Sequence, residues 1–168
     1  MYPTDTIYGL GADSESRSAI DALYTLRKLE PHKPLALICR SLADVGQYAI
    51  MSNDCHRFMR RHLPGPYTFV LPGKTKRRAI GVRVPDSPVA LALIDALGRP
   101  IISTSAIFNG EVTTDPIILA ETLDPQLVGL VLDAGLLTGV PSTVIDWTEE
   151  EPQVVREGAG DVSDLVPP

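Results

Sequence analysis

Apolar positions along this chain follow two patterns. Where they recur every three or four residues they predict helices, and where they run unbroken they predict strands buried on both faces. The first helix starts from a cap at Ser14 or Ser16 and runs to about Leu29. It carries Ile20, Leu23, Tyr24 and Arg27 on one face, and Pro31 stops it. Leu35 to Cys39 is apolar without alternation and predicts a buried strand. Leu42 to Tyr48 predicts a short helix. Another starts from a cap at Ser52 and reaches about Leu63, with Phe58, Met59 and Leu63 inward, before Pro64-Gly65-Pro66 breaks it. Tyr67 to Leu71 and Ile80 to Val84 predict strands joined by a basic, exposed link, Pro72 to Arg78. Ser87-Pro88 opens a helix through Leu97, with Gly98 past its end. Ile101 to Thr104 predicts a strand running into Ser105, and Asp115-Pro116 opens a helix to about Leu123. Leu130 to Asp133, Thr143 to Asp146 and Val154 to Arg156 predict the last strands.

Strands alternate with helices irregularly, and two joins read as hairpins. The expected fold is α/β (α+β): a twisted mixed sheet of parallel and antiparallel strands covered by helices, rather than a regular doubly wound fold. Residues 1–168 read as a single domain, in which Met1-Tyr2 is the last step of a strand whose beginning is absent.

Composition narrows the class. Hydrophobic residues make up 44% and charged residues 21%, which is ordinary for a globular chain. No apolar run is long enough to span a bilayer, so the expectation is a soluble cytoplasmic protein without a membrane partner. The formal net charge of −6 argues against a broad nucleic-acid-binding surface. Cations cluster only at Lys74–Arg78 and Arg57–His62, and both clusters read first as solvated faces. Cys39 and Cys55 have no metal-ligand spacing and read as buried thiols in a reducing compartment, and the three scattered histidines predict no metal site.

Candidate chemistry begins with Pro3-Thr4-Asp5-Thr6-Ile7-Tyr8-Gly9-Leu10-Gly11, a loop that presents several hydroxyls and backbone N–H groups. Polar residues recur at other strand ends: Thr68, Ser103-Thr104-Ser105 and Ser142-Thr143. Ligands of open α/β sheets bind at such ends. Arg83 and Arg156 lie in strands otherwise made of β-branched residues. An arginine there is costly unless paired. Arg83 is therefore either an internal partner of a carboxylate or a clamp for a ligand carboxylate or phosphate. No catalytic triad, Walker loop or dinucleotide fingerprint is present, so chemistry would rest on positioning and charge stabilisation.

These segments carry a resemblance. Pro3–Asp13, Lys33-Pro34-Leu35, Pro64–Thr68, Gly81–Pro85, Ser103–Ala106, Pro141–Asp146 and Arg156-Glu157-Gly158 thread the chain in the order of the YrdC family of threonylcarbamoyl-AMP synthases. The resemblance implies a YrdC-like fold with a large cleft. It implies ATP, carried with Mg2+, L-threonine and bicarbonate as substrates, giving threonylcarbamoyl-AMP and pyrophosphate for tRNA threonylcarbamoyladenosine modification. By family position Thr4, Thr6, Tyr8, Thr68 and Arg83 face the amino-acid side. Arg27, Lys33, Ser103, Ser105, Ser142 and Arg156 face ATP or AMP. Lys76, Arg77 and Arg78 form a rim for tRNA or double-stranded RNA. No residue is singled out as a catalytic acid, base or nucleophile. Two positions depart from the family. Its Lys-x-Arg becomes Arg27-Lys28-Leu29, and its Ser-x-Asn becomes Ser105-Ala106-Ile107, with Asn109 the nearest substitute amide. Both departures resemble the YciO branch. They leave open an alternative, a nucleotide- or double-stranded-RNA-binding module without efficient synthesis.

Overall fold

A computed structural model describes residues 1–30, 33–75 and 79–165. In chain order the elements are β1 (Gly9–Asp13), α1 (Arg17–Leu26), β2 (Ala36–Ile38), α2 (Leu42–Tyr48), α3 (Asn53–His62), β3 (Tyr67–Pro72) and β4 (Ala79–Arg83). They continue with α4 (Pro88–Leu97), β5 (Ile101–Ser105), β6 (Ile107–Phe108), β7 (Glu111–Val112), α5 (Pro116–Thr122), β8 (Thr143–Asp146) and β9 (Gln153–Arg156). Seven strands form one sheet in the order β1-β5-β2-β4-β3-β8-β9. The β2–β4 and β3–β8 pairs are parallel and the other four antiparallel, so the sheet is mixed, as the irregular alternation predicted.

Four helix starts follow the caps seen in the sequence, and Ser41 adds a fifth that the sequence reading did not name. The hydroxyls of Ser16, Ser41, Ser52 and Ser87, and the carboxylate of Asp115, each accept a first-turn N–H. Gly98 ends α4 in the left-handed region, at φ 74°. Helix α1 stops at Leu26 rather than near Leu29, because Lys28 turns to φ 48°.

The two faces of the sheet have different cover. On one, Leu10, Leu37, Phe69, Val82 and Ile145 pack with Leu23, Val45, Phe58 and Met59 of α1, α2 and α3. On the other, Ala90 and Ile94 of α4 cover Ile38 and Ile101 together with Tyr2. The rest of that second face holds the polar residues of the strand ends.

Two expectations change and one element is added. Gly9–Gly11, read as loop, opens the edge strand β1. Its glycines are required there because the Tyr2 ring crosses them: a Cβ on Gly11 would sit 2.8 Å from Tyr2 Cε1. Leu130–Asp133 forms no strand. Among the described residues its backbone hydrogen-bonds only Met1, through the Met1 amino group on Leu130 O and Leu132 N on Met1 O, which is too little for a ladder. Asn109-Gly110 closes the short β6–β7 hairpin, with φ 53° and 84°, a turn the sequence signals by that dipeptide.

Candidate functional site

The polar end of the sheet encloses a cleft of about 150 Å3. Its walls bring together Thr4 and Tyr8 from the opening loop, Thr68 of β3, Arg83 of β4, Ser103 and Ser105 of β5, Ser142 before β8, and Arg156 of β9. These residues are spread over more than 150 positions of sequence. Register places them on one face: Ser103 lies opposite Gly11 and Ala36, Ser105 opposite Gly9, and Thr68 beside Val144. The ladder between β8 and β9 shifts register between Val144 and Ile145, so Val144 opposes Arg156 while Ile145 opposes Val154. Val155 is the extra residue. Without that bulge Val155 would face the cleft, and with it the guanidinium does.

Arg83 is held by the opening loop. Its Nη2 donates to Asp5 Oδ1 at 2.5 Å and to Thr6 Oγ1 at 2.9 Å. Thr4 donates its own proton to Ile7 O at 2.6 Å, so across the 3.0 Å contact between the two hydroxyls Thr6 donates to Thr4. Thr6 thereby keeps a lone pair for Arg83. The ion pair anticipated as one reading of Arg83 is therefore present, and its partner is Asp5. Both side chains are nearly buried, at 8% and 11% exposure. Arg83 Nε and Asp5 Oδ2 are buried without a partner among the described residues.

Arg156 is held differently. Its Nε and Nη2 donate to Ser142 O at 3.1 and 2.7 Å, and Nη2 reaches Ser142 Oγ at 3.2 Å. Ser142 Oγ lies 2.9 Å from Thr68 Oγ1. Burial, then the nearby charge of Arg83, lower the Arg156 guanidinium below its ordinary value. Two guanidiniums thus line one small space.

Other hydroxyls are committed inside the protein. Tyr8 donates to Gly135 O at 2.8 Å and accepts Ala134 N–H at 2.9 Å, so its hydroxyl pins the 134–135 backbone and only the rest of the residue shapes the wall. Ser103 accepts from Tyr2 at 2.7 Å and donates to Leu10 O at 3.0 Å. Burial pushes the Tyr2 hydroxyl up to about 12, which keeps it a donor.

Thr6, Arg27 and Lys33 are not brought to the cleft wall: Thr6 is fully buried behind it, with its hydroxyl spent on Thr4 and Arg83. Arg27 stands over the Phe108 ring at 5.2 Å, half-buried. Its guanidinium is lowered by that burial, and Nε has no partner among the described residues. Lys33 is exposed, with its carbonyl accepting from Tyr24, while the next residue, Pro34, reaches the wall. Leu29 is half-buried outside the wall and Ile107 lies in β6. Asn109 is exposed at the hairpin tip, so it does not replace the lost amide. Lys76, Arg77 and Arg78 lie outside the described residues.

Sequence reasoning passed over two residues. Asp5 was read only as part of a polar loop, although an acidic residue beside a hydroxyl-rich turn is the natural partner for a buried arginine. Thr143 was read, with Ser142, as a polar strand end without a role of its own; its Oγ1 donates to Gly160 O and accepts from Gly158 and Gly160 N–H, fixing the loop after Arg156.

A larger cavity, about 520 Å3, runs along the open edge of β1 between α1 and α4. Its lining is apolar apart from Asp13, which is engaged by Arg99, so it offers no comparable chemistry. Among the described residues no group of three or more His, Cys, Asp or Glu is placed to hold a metal. Nor is any helix long and apolar enough to cross a membrane.

Comparison with known proteins places this geometry. The Sua5/YciO/YrdC family model, described as telomere recombination, matches residues 1–158. The Escherichia coli K12 protein YciO is 40% identical, covering 96% of this chain and 84% of YciO. Its crystal structure superposes with TM-score 0.85 at 36% identity, over 98% of this chain and 85% of that one. The threonylcarbamoyl-AMP synthase of Bacillus subtilis is 30% identical over 94% of this chain and 49% of its own length. P. abyssi Sua5, solved in complex with L-threonine, superposes with TM-score 0.88 at 29% identity, over 97% of this chain and 51% of that one. This chain therefore spans about half of each of these two larger relatives.

Proposed function

This chain belongs to the Sua5–YciO–YrdC family, and from that premise we propose that it is a nucleotidyltransferase-like protein. In this reading it binds ATP and L-threonine and forms threonylcarbamoyl-AMP. The observation that carries the reading is the convergence of Arg83, Arg156 and the strand-end hydroxyls on one cleft. The amino-acid carboxylate goes to Arg83 at the Thr4 end of the cleft. The phosphates go to Arg156, Ser142 and Ser105. The threonine amine and bicarbonate give a carbamate with loss of water. A carbamate oxygen then attacks the α-phosphorus, and pyrophosphate leaves with its electron pair. The chain's own part is positioning and charge stabilisation. Mg2+ would arrive on the ATP phosphates, since the cleft supplies no ligand set of its own. The product would serve tRNA threonylcarbamoyladenosine modification, with any tRNA contact local because the chain is acidic.

One observation favours a second reading, a nucleotide-binding module without efficient synthesis. Arg27, at the position where the family carries a phosphate-facing cation, stands over Phe108 instead. Pyrophosphate release from ATP separates the two. Release that requires both L-threonine and bicarbonate, and is lost in Arg156→Ala, supports the synthase. ATP binding without release supports the module, and absence of nucleotide binding refutes both.

A further inference from the structure

The cleft holds two guanidiniums in unequal settings. Arg156 lies against neutral oxygens, the carbonyl and hydroxyl of Ser142, and among the described residues no carboxylate pairs with it. Arg83 is paired with Asp5 across 2.5 Å, where low exposure limits screening. The Arg83 end is therefore charge-balanced, while the Arg156 end carries a full positive charge. A balanced end suits a ligand that is itself balanced, such as an α-amino acid zwitterion. A cationic end suits phosphate. Left uncompensated, Arg83 would compete with Arg156 for the same polyanion.

We infer that Asp5 determines the specificity of this cleft: by neutralising Arg83 and drawing its guanidinium onto the opening loop, it confines polyphosphate to Arg156 and reserves Arg83 for the carboxylate of a net-neutral amino acid. Asp5 does not line the cleft, so it acts through Arg83 as a positioning residue. The identity of the amino acid rests on the function proposed above, whereas the charge argument does not.

Asp5→Asn keeps the side chain's size and removes its charge. Calorimetry on the wild type, Asp5→Asn and Asp5→Glu, with inorganic pyrophosphate and L-threonine as separate probes, tests the inference. In Asp5→Asn pyrophosphate should bind about tenfold tighter and L-threonine about tenfold weaker, the scale of one charge-assisted contact. Asp5→Glu should return both toward wild type. A merely structural role moves the two affinities the same way. That outcome, or unchanged affinities in a folded variant, overturns the inference. If the wild type binds pyrophosphate and not L-threonine, the amino-acid reading fails, and tightening of pyrophosphate in Asp5→Asn still decides the inference. Binding of neither probe overturns both. Should Asp5→Asn not fold, Asp5→Ser serves in its place. Failure of both to fold marks the pair as structural and overturns the inference.

Discussion

Replacing Arg156 by Ala tests the phosphate end of the cleft directly. In the free protein Arg156 commits Nε and Nη2 to Ser142. Nη1 makes no hydrogen bond among the described residues and remains for a ligand. A hydrogen bond from a charged donor contributes roughly 1.5–3 kcal/mol. Losing one such contact to a phosphate oxygen should weaken ATP by roughly 10- to 150-fold. The fold should survive. The removed side chain is half-buried, no opposite charge is left unpaired behind it, and the lost charged contacts to Ser142 cost roughly 1.5–3 kcal/mol of stability. Arg156→Lys keeps the charge without the planar fork and should recover part of the affinity. The assay is calorimetry with ATP, AMP and adenosine in parallel. ATP and AMP should both weaken while adenosine does not, because adenosine carries no anion. Equal weakening of adenosine, or unchanged ATP affinity in a folded variant, refutes the assignment of Arg156 to phosphate.

Arg83→Ala leaves Asp5 buried and unpaired, so stability should fall by about 3–5 kcal/mol and the thermal shift on adding L-threonine should vanish. A threonine shift that persists in this variant makes Arg83 an internal ion-pair partner alone. Gly158→Ala places a Cβ 2.2 Å from Pro141 O and 2.6 Å from the Ser142 carbonyl carbon, both backbone atoms. A loss of at least about 2 kcal/mol is expected, together with weaker ATP binding, and a wild-type melting temperature would contradict the packing. The Arg99 guanidinium holds Asp13 down to about 2, below its ordinary 3.8. A lowered folded pKa stabilises above the unfolded value, so this contribution is complete above about pH 4 and is lost as pH falls toward 2. Arg99→Ala should therefore flatten the acid-unfolding curve between those limits, and superimposable curves would count against the pair. Leu29→Arg with Ile107→Asn should raise threonine-dependent pyrophosphate release by about tenfold, the return of roughly 1.4 kcal/mol. No change would place those two side chains outside the reaction.

Much of the fold was legible because local signals agreed. Serine caps, proline at the first helical turn and apolar spacing fixed all five helices to within a few residues. The failures share a cause: the deciding atoms lie far off in sequence. Gly9-Leu10-Gly11 has the composition of a turn, and only the Tyr2 ring lying across it makes glycine the residue a strand needs there. Leu130–Asp133 has the composition of a strand, yet no neighbouring strand offers it a ladder, and apolar content cannot supply one. The short β6–β7 hairpin was missed for a different reason. Its Asn-Gly signal is present, but each strand is only two residues long, too short for an apolar pattern to mark.

The site was legible as a set of residue types and not as a set of free functional groups. Hydroxyls at strand ends pointed to a cleft, and most of them line it. The same hydroxyls are also the cheapest way to satisfy buried backbone, and Tyr8 and Ser103 do that here. Sequence cannot divide ligand-facing from backbone-facing hydroxyls, because the division depends on which carbonyls arrive within 3 Å. The arginines show the same limit from the other side. Their rarity within apolar strands marked both as significant, but the β-strand period alone would have aimed Arg156 wrongly, since the bulge at Val155 reverses the face it occupies. What separates the two arginines is neither residue type nor position in a strand. It is that one has a carboxylate against it and the other only neutral oxygens, a difference created when the opening loop folds onto β4 across nearly eighty residues of sequence. A cleft with two arginines becomes a cleft with two distinct ends only at that step.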